Sequence, residues 1–370
     1  MRGKKMKKYD IAAFIWPSYT NREPRSHIFW PDGEGEWQSV RKATPKFDGH
    51  LLPRVPTLGY KDEAEPETME EQIELASSHG VNVFIYDWYW YDRRPFLECC
   101  LNDGFLKAKN REKMKFYLMW ANHDAGYTWD KRISDGPDVP IWLGSVDRVQ
   151  FDIVADRVIE QYFSQPNYYK IDGKPAFAVY DIDNLINGLG GVEQTKAALE
   201  SFREKTVKAG HAGLHLQLIL WGERMHNLTG VDGEHLYSSQ IAKILGFDST
   251  TNYQYVHFVD IDRDYREVQA DVEKYWEKFA SLGVTYYPHV SLGWDNNPRF
   301  NSFRRGILKN NTPENVERAL VAARDFADAH GVDLITINSW NEWTEMSYLL
   351  PDNVYGTGYL DAVKKVFLQQ

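Results

Sequence analysis

The chain has 370 residues, 43% of them hydrophobic, and a formal net charge of -10. This length and apolar content are enough for a large buried core, and α/β barrels with insertions reach this length as one domain. Beyond the first eight residues the sequence has no dense block of Lys and Arg. A nucleic-acid partner and an anionic membrane surface are therefore disfavoured, because both need a concentrated basic face.

The N-terminal segment 1–8 is basic, but no long apolar run follows it as in a signal peptide. No stretch approaches the ~20 apolar residues of a membrane span. The chain as given is therefore expected to be cytoplasmic, with a periplasmic or secreted location as the alternative if a leader was removed. We expect a monomer or a weak homo-oligomer. The adjacent Cys99 and Cys100 match no metal-ligand spacing, so no zinc site is predicted.

Eight short apolar runs are predicted to be strands. In chain order they are 10–16, 81–90, 115–122, 175–181, 214–221, 244–247, 284–292 and 333–340. Most are rich in β-branched and aromatic residues and lack internal charges, which is typical of strands buried on both faces. The sixth run is the weakest.

Amphipathic segments between these runs are predicted to be helices. They are 66–78, 146–163, 191–209, 265–282 and 312–329. Helices that end near a glycine before the next strand indicate βα repeats with a parallel sheet. Eight such units predict one domain over 1–370, a single (β/α)8 TIM barrel with long βα loops after strands one (18–65) and three (125–145). An open doubly wound sheet is the alternative.

Barrel enzymes place their active residues at the carboxyl ends of the strands. Nearly every predicted end combines an aromatic residue with a carboxylate or an amide. Aromatic faces pack against the C–H face of a pyranose, and polar side chains satisfy its hydroxyls. The residues predicted to bind carbohydrate are Trp16, Tyr19, Asp87, Trp88, Trp90, Trp120, Asn122, His123, Asp181, Trp221, Glu223, His289, Trp294, Asp295, Asn338, Trp340, Asn341 and Trp343.

Glu342 and Glu345 follow the eighth run directly and are predicted to be the catalytic residues. Glycosidic cleavage usually needs two carboxylates, one protonated and one ionised. The alternative is a capping or solvated pair at a helix N-terminus. The interleaving with Trp340 and Trp343 favours the catalytic interpretation. Glu223, at another strand end, remains an alternative acid with Glu342 as its partner.

The segment 340–345, Trp-Asn-Glu-Trp-Thr-Glu, resembles the terminal motif of family 99 glycoside hydrolases and of the related WbsX-like carbohydrate-active proteins. The segments 36–37, 45–50, 53–56, 86–90 and 120–122 are also similar to the WbsX-like group, so the resemblance covers nearly the whole chain.

The resemblance implies a (β/α)8 barrel, retention of anomeric configuration and a 1,2-anhydro sugar intermediate. By position, Glu342 would be the base that assists the substrate 2-hydroxyl and Glu345 the general acid/base. Arg54, in the segment 53–56, joins the predicted carbohydrate-binding residues. Met346 departs from the usual glycine, which leaves the loop shape and the substrate open.

The expected function is therefore a retaining glycoside hydrolase that cleaves an oligo- or polysaccharide without metal or organic cofactor. One alternative is a WbsX-type glycosyltransferase in surface-polysaccharide biosynthesis. Against it, the sequence has no nucleotide-binding glycine fingerprint and no metal-binding Asp-x-Asp at a strand end. A non-catalytic carbohydrate-binding barrel is the other alternative.

Overall fold

The computed structural model describes residues 9–132, 139–226 and 235–369. A curled parallel sheet lies at its centre. Its strands are β1 (Asp10–Ile15), β2 (Val83–Tyr91), β3 (Lys115–Trp120), β4 (Lys174–Val179), β5 (His215–Ile219), β6 (Ser249–Thr251), β7 (Thr285–Tyr286), β8 (His289–Ser291) and β9 (Leu334–Asn338).

The order of the strands in the sheet is β7-β6-β5-β4-β3-β2-β1-β9-β8, with parallel pairing at every step. The two outermost strands, β7 and β8, are separated along the chain only by Tyr287 and Pro288. The sheet therefore curls until both of its edges come from one short stretch of chain, in the manner of a TIM-type barrel.

Helices cover the outside of the sheet. They are α1 (Trp37–Lys42), α2 (Pro66–Ser78), α3 (Arg148–Val158), α4 (Ile182–Leu189), α5 (Val192–Lys208), α6 (Ser238–Ile244), α7 (Tyr265–Ala280), α8 (Pro313–His330) and α9 (Gly358–Phe367). The five predicted helices are confirmed as α2, α3, α5, α7 and α8.

Helix α8 illustrates why these segments could be predicted. The Thr312 side chain accepts a hydrogen bond from the amide of Asn315, Pro313 occupies the first turn, and Gly331 ends the helix with a positive φ of 68°. Helices α1, α4, α6 and α9 were not predicted.

The predicted sixth strand, 244–247, is misplaced. Ile244 is the last residue of α6, and the strand begins at Ser249. Its residues are Ser and Thr, yet all three are buried, and the Thr251 hydroxyl lies 2.8 Å from that of Thr336 inside the sheet. A search for apolar runs misses such a strand because its polar groups are satisfied within the barrel.

Short antiparallel ribbons extend several strand ends. Arg94–Phe96 pairs with β2, and Lys170–Ile171 pairs with β4. Asn341–Glu342 pairs with Ser347–Tyr348 directly after β9, and this ribbon carries the predicted catalytic segment. The predicted loops 18–65 and 125–145 join β1 to α2 and β3 to α3, and residues 133–138 of the second lie outside the described residues. No helix in the described ranges is long and apolar enough to cross a bilayer.

Glu63 is a buried carboxyl that ties the chain before α2 to the segment after β9. It accepts hydrogen bonds from Gln72 Nε2 (3.0 Å) and Asn341 Nδ2 (2.9 Å). Burial raises its pKa from 4.5 to about 7, against the effect of these two donors.

The raised pKa of Glu63 predicts a pH-dependent stability. The folded chain binds the proton of the Glu63 carboxyl more tightly than the unfolded chain does. The stabilisation contributed by protonated Glu63 is therefore full below pH 4.5 and is lost as pH rises through 7. The free energy of unfolding should fall between pH 5 and pH 8, with about 3 kcal/mol due to Glu63. Urea titrations of Glu63→Gln should show a flatter pH dependence than those of the wild type and of Glu74→Gln, an exposed control. Parallel pH profiles for all three proteins would refute this account.

Candidate active site

A cavity of about 270 Å³ opens at the carboxyl end of the sheet. Six of the predicted site residues line it: Trp16, Asp87, His123, Trp221, Glu342 and Glu345. They lie on or shortly after five different strands, so the curled sheet brings them together from distant parts of the sequence. A larger cavity, about 530 Å³, lies at the opposite end of the sheet and contains none of the predicted site residues.

Glu342 and Glu345 lie on consecutive short elements after β9. Glu342 ends the strand Asn341–Glu342, and Glu345 ends the 3-10 turn Trp343–Glu345. Met346 then takes a left-handed conformation with φ 56° and ψ 33°. This is the conformation that glycine adopts most readily, so the backbone here has the form a glycine would favour although Met stands at the position.

Arg299 holds the two glutamates together. Its Nη1 donates to Glu345 Oε1 at 2.9 Å, and its Nη2 contacts Glu342 Oε2 at 3.4 Å. Its Nε donates to Thr344 Oγ1 at 2.8 Å and lies 3.4 Å from Glu36 Oε1. One buried guanidinium therefore faces three carboxyl groups.

Glu36 is the third of these carboxyls and is fully buried. It accepts hydrogen bonds from Trp16 Nε1, from Ser18 Oγ at 3.1 Å and from Thr344 Oγ1 at 2.9 Å. These bonds hold the Glu36 carboxylate in place. Glu36 Oε1 in turn lies 3.4 Å from Nε of Arg299 and helps to position the guanidinium.

Burial and charge repulsion control the protonation of the pair. Burial raises the pKa of Glu342 well above its ordinary value, and repulsion from Glu345 adds to the effect. Burial likewise raises the pKa of Glu345, while Arg299 opposes the shift. Such a pair titrates as a unit, and charge repulsion favours the form that holds one proton over the doubly ionised form.

Two acceptor atoms in the cavity wall are buried without a hydrogen-bond partner within the described residues, Glu345 Oε2 and Asp87 Oδ1. The other oxygen of Asp87 accepts a hydrogen bond from the Tyr253 hydroxyl at 2.9 Å. Burial raises the pKa of Asp87 well above its ordinary value. A buried polar atom left unpaired is costly, so both positions suit hydroxyl groups of a bound ligand.

Aromatic rings form the walls of the cavity. Trp16 contacts Tyr89 and Trp129 at ring-centroid distances of 5.5 and 5.2 Å. On the opposite side Tyr180 contacts Trp221 at 4.9 Å and Tyr253 at 5.3 Å. Aromatic walls around polar acceptors suit a sugar ring, which has apolar C–H faces and a polar rim.

The histidines near this cavity are neutral at neutral pH. Burial lowers the pKa of His123, and it lowers the pKa of His257, stacked on Trp221, to about 3. These imidazoles therefore add no positive charge to the site, and of the two only His123 lines the cavity.

Three predicted tryptophans, on β2 and β3, lie outside the cavity because side chains alternate along a strand. Asp87 and Tyr89 line the cavity, whereas Trp88 donates to Glu98 at 2.8 Å and Trp90 to Gln150 of α3 at 3.2 Å. Trp120 likewise packs on Phe151 of α3, and Trp340, which follows β9, lies outside the cavity and donates to Gln72 of α2 at 2.7 Å.

The remaining predicted residues also lie outside the cavity lining: Tyr19, Arg54, Asn122, Asp181, Glu223, His289, Trp294, Asp295, Asn338, Asn341 and Trp343. Several are engaged in structural bonds. Glu223, the alternative acid, accepts from the amide and the hydroxyl of Ser239 at 3.0 and 2.7 Å and does not line the cavity that contains Glu342. His289 contacts Thr336 and Ser291 within the sheet.

Sequence reasoning missed eight residues of the lining: Tyr89, Met119, Ala121, Thr128, Trp129, Tyr180, Tyr253 and Arg299. Because side chains i and i+2 of a strand point to the same face, the prediction of Asp87 should have been extended to Tyr89. Arg299 lies on the short turn Asn297–Arg299, where no periodic pattern marks it. Within 9–132, 139–226 and 235–369, no three His, Cys, Asp or Glu side chains are grouped so as to hold a metal ion.

The architecture is shared with solved carbohydrate-active proteins. A GH99 endo-alpha-mannosidase from Bacteroides thetaiotaomicron, solved with bis-tris-propane, aligns with a TM-score of 0.61 at 13% identity, over 97% of this chain and 96% of that one. A protein described as glycoside hydrolase-like aligns with a TM-score of 0.60 at 14% identity, over 99% and 97% of the two chains. At these identities the likeness shows the fold: the chain has a glycoside-hydrolase-type α/β fold.

The sequence profile of the family described as Glycosyltransferase WbsX matches residues 11–363, and the chain belongs to this family. Two strains of Xanthomonas campestris pv. campestris have relatives named "Uncharacterized protein WxcX", 27% identical over 360 residues. These matches cover 96% of this chain and 49% of each relative. The chain therefore spans about half the length of these relatives.

Proposed function

We propose that this chain is a retaining glycoside hydrolase acting on an oligo- or polysaccharide, with Glu342 and Glu345 as its catalytic residues. In this proposal residues 1–370 form one barrel domain with eight βα units, where β7 and β8 count as one interrupted strand. The observation that carries the proposal is a pair of glutamates, the buried Glu342 and the largely buried Glu345, held by one arginine in an aromatic-walled cavity.

The chemistry follows the route implied by the likeness to family 99. Glu342 takes the proton of the substrate 2-hydroxyl while O2 attacks the anomeric carbon, and Glu345 gives its proton to the departing glycosidic oxygen. Water, deprotonated by Glu345, then opens the 1,2-anhydro sugar at the anomeric carbon, and O2 recovers its proton from Glu342. Two inversions give net retention. The cycle starts from the form of the pair in which the single proton is on Glu345 and Glu342 is ionised.

The test is release of new reducing ends from bacterial and plant polysaccharides. Cleavage by the wild type and none by Glu342→Gln or Glu345→Gln would support the proposal. Full activity in both variants would refute it.

The second candidate is a glycosyltransferase, favoured by the description of the family to which the chain belongs. It predicts that a nucleotide sugar binds in the cavity and that its sugar is transferred to an acceptor glycan. Isothermal titration with nucleotide sugars separates the candidates, since the hydrolase needs no such donor.

Asp87 should contribute to substrate binding through its unpaired Oδ1. Asp87→Ala should lower kcat/KM by about 10-fold to 100-fold, because loss of one buried hydrogen bond costs about 1–3 kcal/mol. Asp87→Asn should retain more activity, since burial already disfavours the charged form. Trp88→Phe, on the outward face of the same strand, should leave kcat/KM within about twofold. Equal losses in Asp87→Ala and Trp88→Phe would argue against a direct role for Asp87.

A further inference from the structure

Two loops beside the cavity present aromatic rings to solvent. Phe47 is 46% exposed and Phe303 is 49% exposed, and their rings meet edge to face with centroids 5.8 Å apart. We call segments 44–51 and 300–305 together the rim patch. Single exposed apolar side chains are ordinary, whereas these two rings contact each other and form a small continuous aromatic patch.

The rim patch is anchored to the catalytic segment. The Phe47 ring stacks on His50 at 4.3 Å, and His50 Nε2 lies 2.7 Å from Asp295 Oδ2, with both of these side chains buried. The Asp295 amide donates to the Glu345 carbonyl at 2.8 Å. The rings are therefore held at a fixed position relative to Glu345, as a binding platform requires.

The rim patch is also locally basic in a chain whose net charge is -10. Among the described residues Lys46 Nζ donates hydrogen bonds only to neutral groups, the Thr44 hydroxyl at 2.9 Å and the Asn301 carbonyl at 3.2 Å. The Arg304 guanidinium lies 4.5 Å from the Phe300 ring centroid. Across the described parts of the chain, Lys46, Arg304 and the exposed Arg305 form no ion pair with a carboxylate. Asp48 is the one acidic residue in the two segments.

We propose that the rim patch is a binding subsite for a hexuronate residue of an acidic polysaccharide whose neighbouring residues enter the cavity. The C–H face of the sugar packs on Phe47 and Phe303, and its carboxylate lies near Lys46 and Arg304. This inference rests on the proposed function, which places the neighbouring sugar residues in the cavity. It adds that the substrate is an acidic polysaccharide.

Binding is measured by affinity gel electrophoresis with the Glu345→Gln variant, so that no cleavage occurs. The probes are alginate, hyaluronate and polygalacturonate, each paired with its carboxyl-reduced derivative. At least one acidic polymer should bind about tenfold more tightly than its reduced form, and Phe47→Ala/Phe303→Ala should lose about tenfold in affinity for it. Lys46→Gln/Arg304→Gln should lose only the preference for the acidic form. Val207→Ala, an exposed residue of α5, is the control, and melting temperatures confirm that each variant is folded.

The proposal is overturned if no acidic polymer binds, if acidic and reduced polymers bind equally, or if the double phenylalanine variant binds like the control. Hydrolysis plays no part in this measurement. A chain that bound an acidic polymer through the rim patch but cleaved no glycan would refute the proposed function and leave the subsite standing.

Discussion

Replacing Glu345 with glutamine is expected to lower kcat on an unactivated glycan by about 10³-fold or more. Glutamine keeps the shape and the bond from Arg299 but has no proton to give to the departing oxygen. A glycosyl fluoride, whose leaving group needs little protonation, should show a much smaller loss in its first step. Glu342→Gln should lose activity on both substrates, because O2 then lacks its base.

Stopped assays of fluoride release and of reducing ends measure this difference directly. Glu74→Gln, a surface substitution next to Lys113, serves as the control. If Glu345→Gln lost as much activity on the fluoride as on the unactivated glycan, Glu345 would not be the general acid. If Glu342→Gln retained normal activity on the fluoride, Glu342 would not be the base that deprotonates the 2-hydroxyl.

The second large effect is expected for Arg299→Met. Removal of the guanidinium leaves the buried Glu36 and Glu342 and the largely buried Glu345 around an uncharged side chain, and breaking a buried ion pair in this way costs about 3–5 kcal/mol. The pKa of the glutamate pair should rise, because Arg299 opposes the shift in the wild type. The acid limb of the kcat/KM profile should then move to higher pH, since the base form of the pair becomes harder to reach.

Two variants separate this effect from simple loss of stability. Arg299→Met/Glu36→Gln removes one of the three carboxyls and should recover part of the free energy of unfolding. Arg54→Met breaks a buried pair with Asp352 outside the cavity, so it should lower stability without moving the pH profile. A pH profile of Arg299→Met that overlays the wild type would contradict the positioning role of Arg299.

The pattern of strands and helices could be predicted largely because hydrophobic periodicity and caps are local signals. The bounds of α2 were predicted as observed, and the strand after α6 was misplaced because Ser249, Thr250 and Thr251 are polar residues buried in the sheet interior. Their burial depends on partners such as Thr336, which lies far away in sequence.

The site was predicted in part for the same physical reason. Strand ends identify where a barrel places its chemistry, but a run such as Asp87 to Trp90 contains side chains that point to opposite faces. Trp88 and Trp90 lie on the outward face of β2, whereas Asp87 and Tyr89 line the cavity. Arg299 lies on a turn after β8 and reaches the site through its contact with Glu345, after β9. No local sequence pattern predicts a contact between two loops that are distant in sequence.

The most direct test of the central claim is incubation of the chain with a polysaccharide panel in ¹⁸O-labelled water, with no nucleotide sugar present. The account predicts new reducing ends that carry one ¹⁸O at the anomeric carbon, formed first in the anomeric configuration of the cleaved bond. The Glu342→Gln and Glu345→Gln variants should produce none. Absence of cleavage by the wild type, together with elongation of an acceptor glycan when a nucleotide sugar is added, would contradict it.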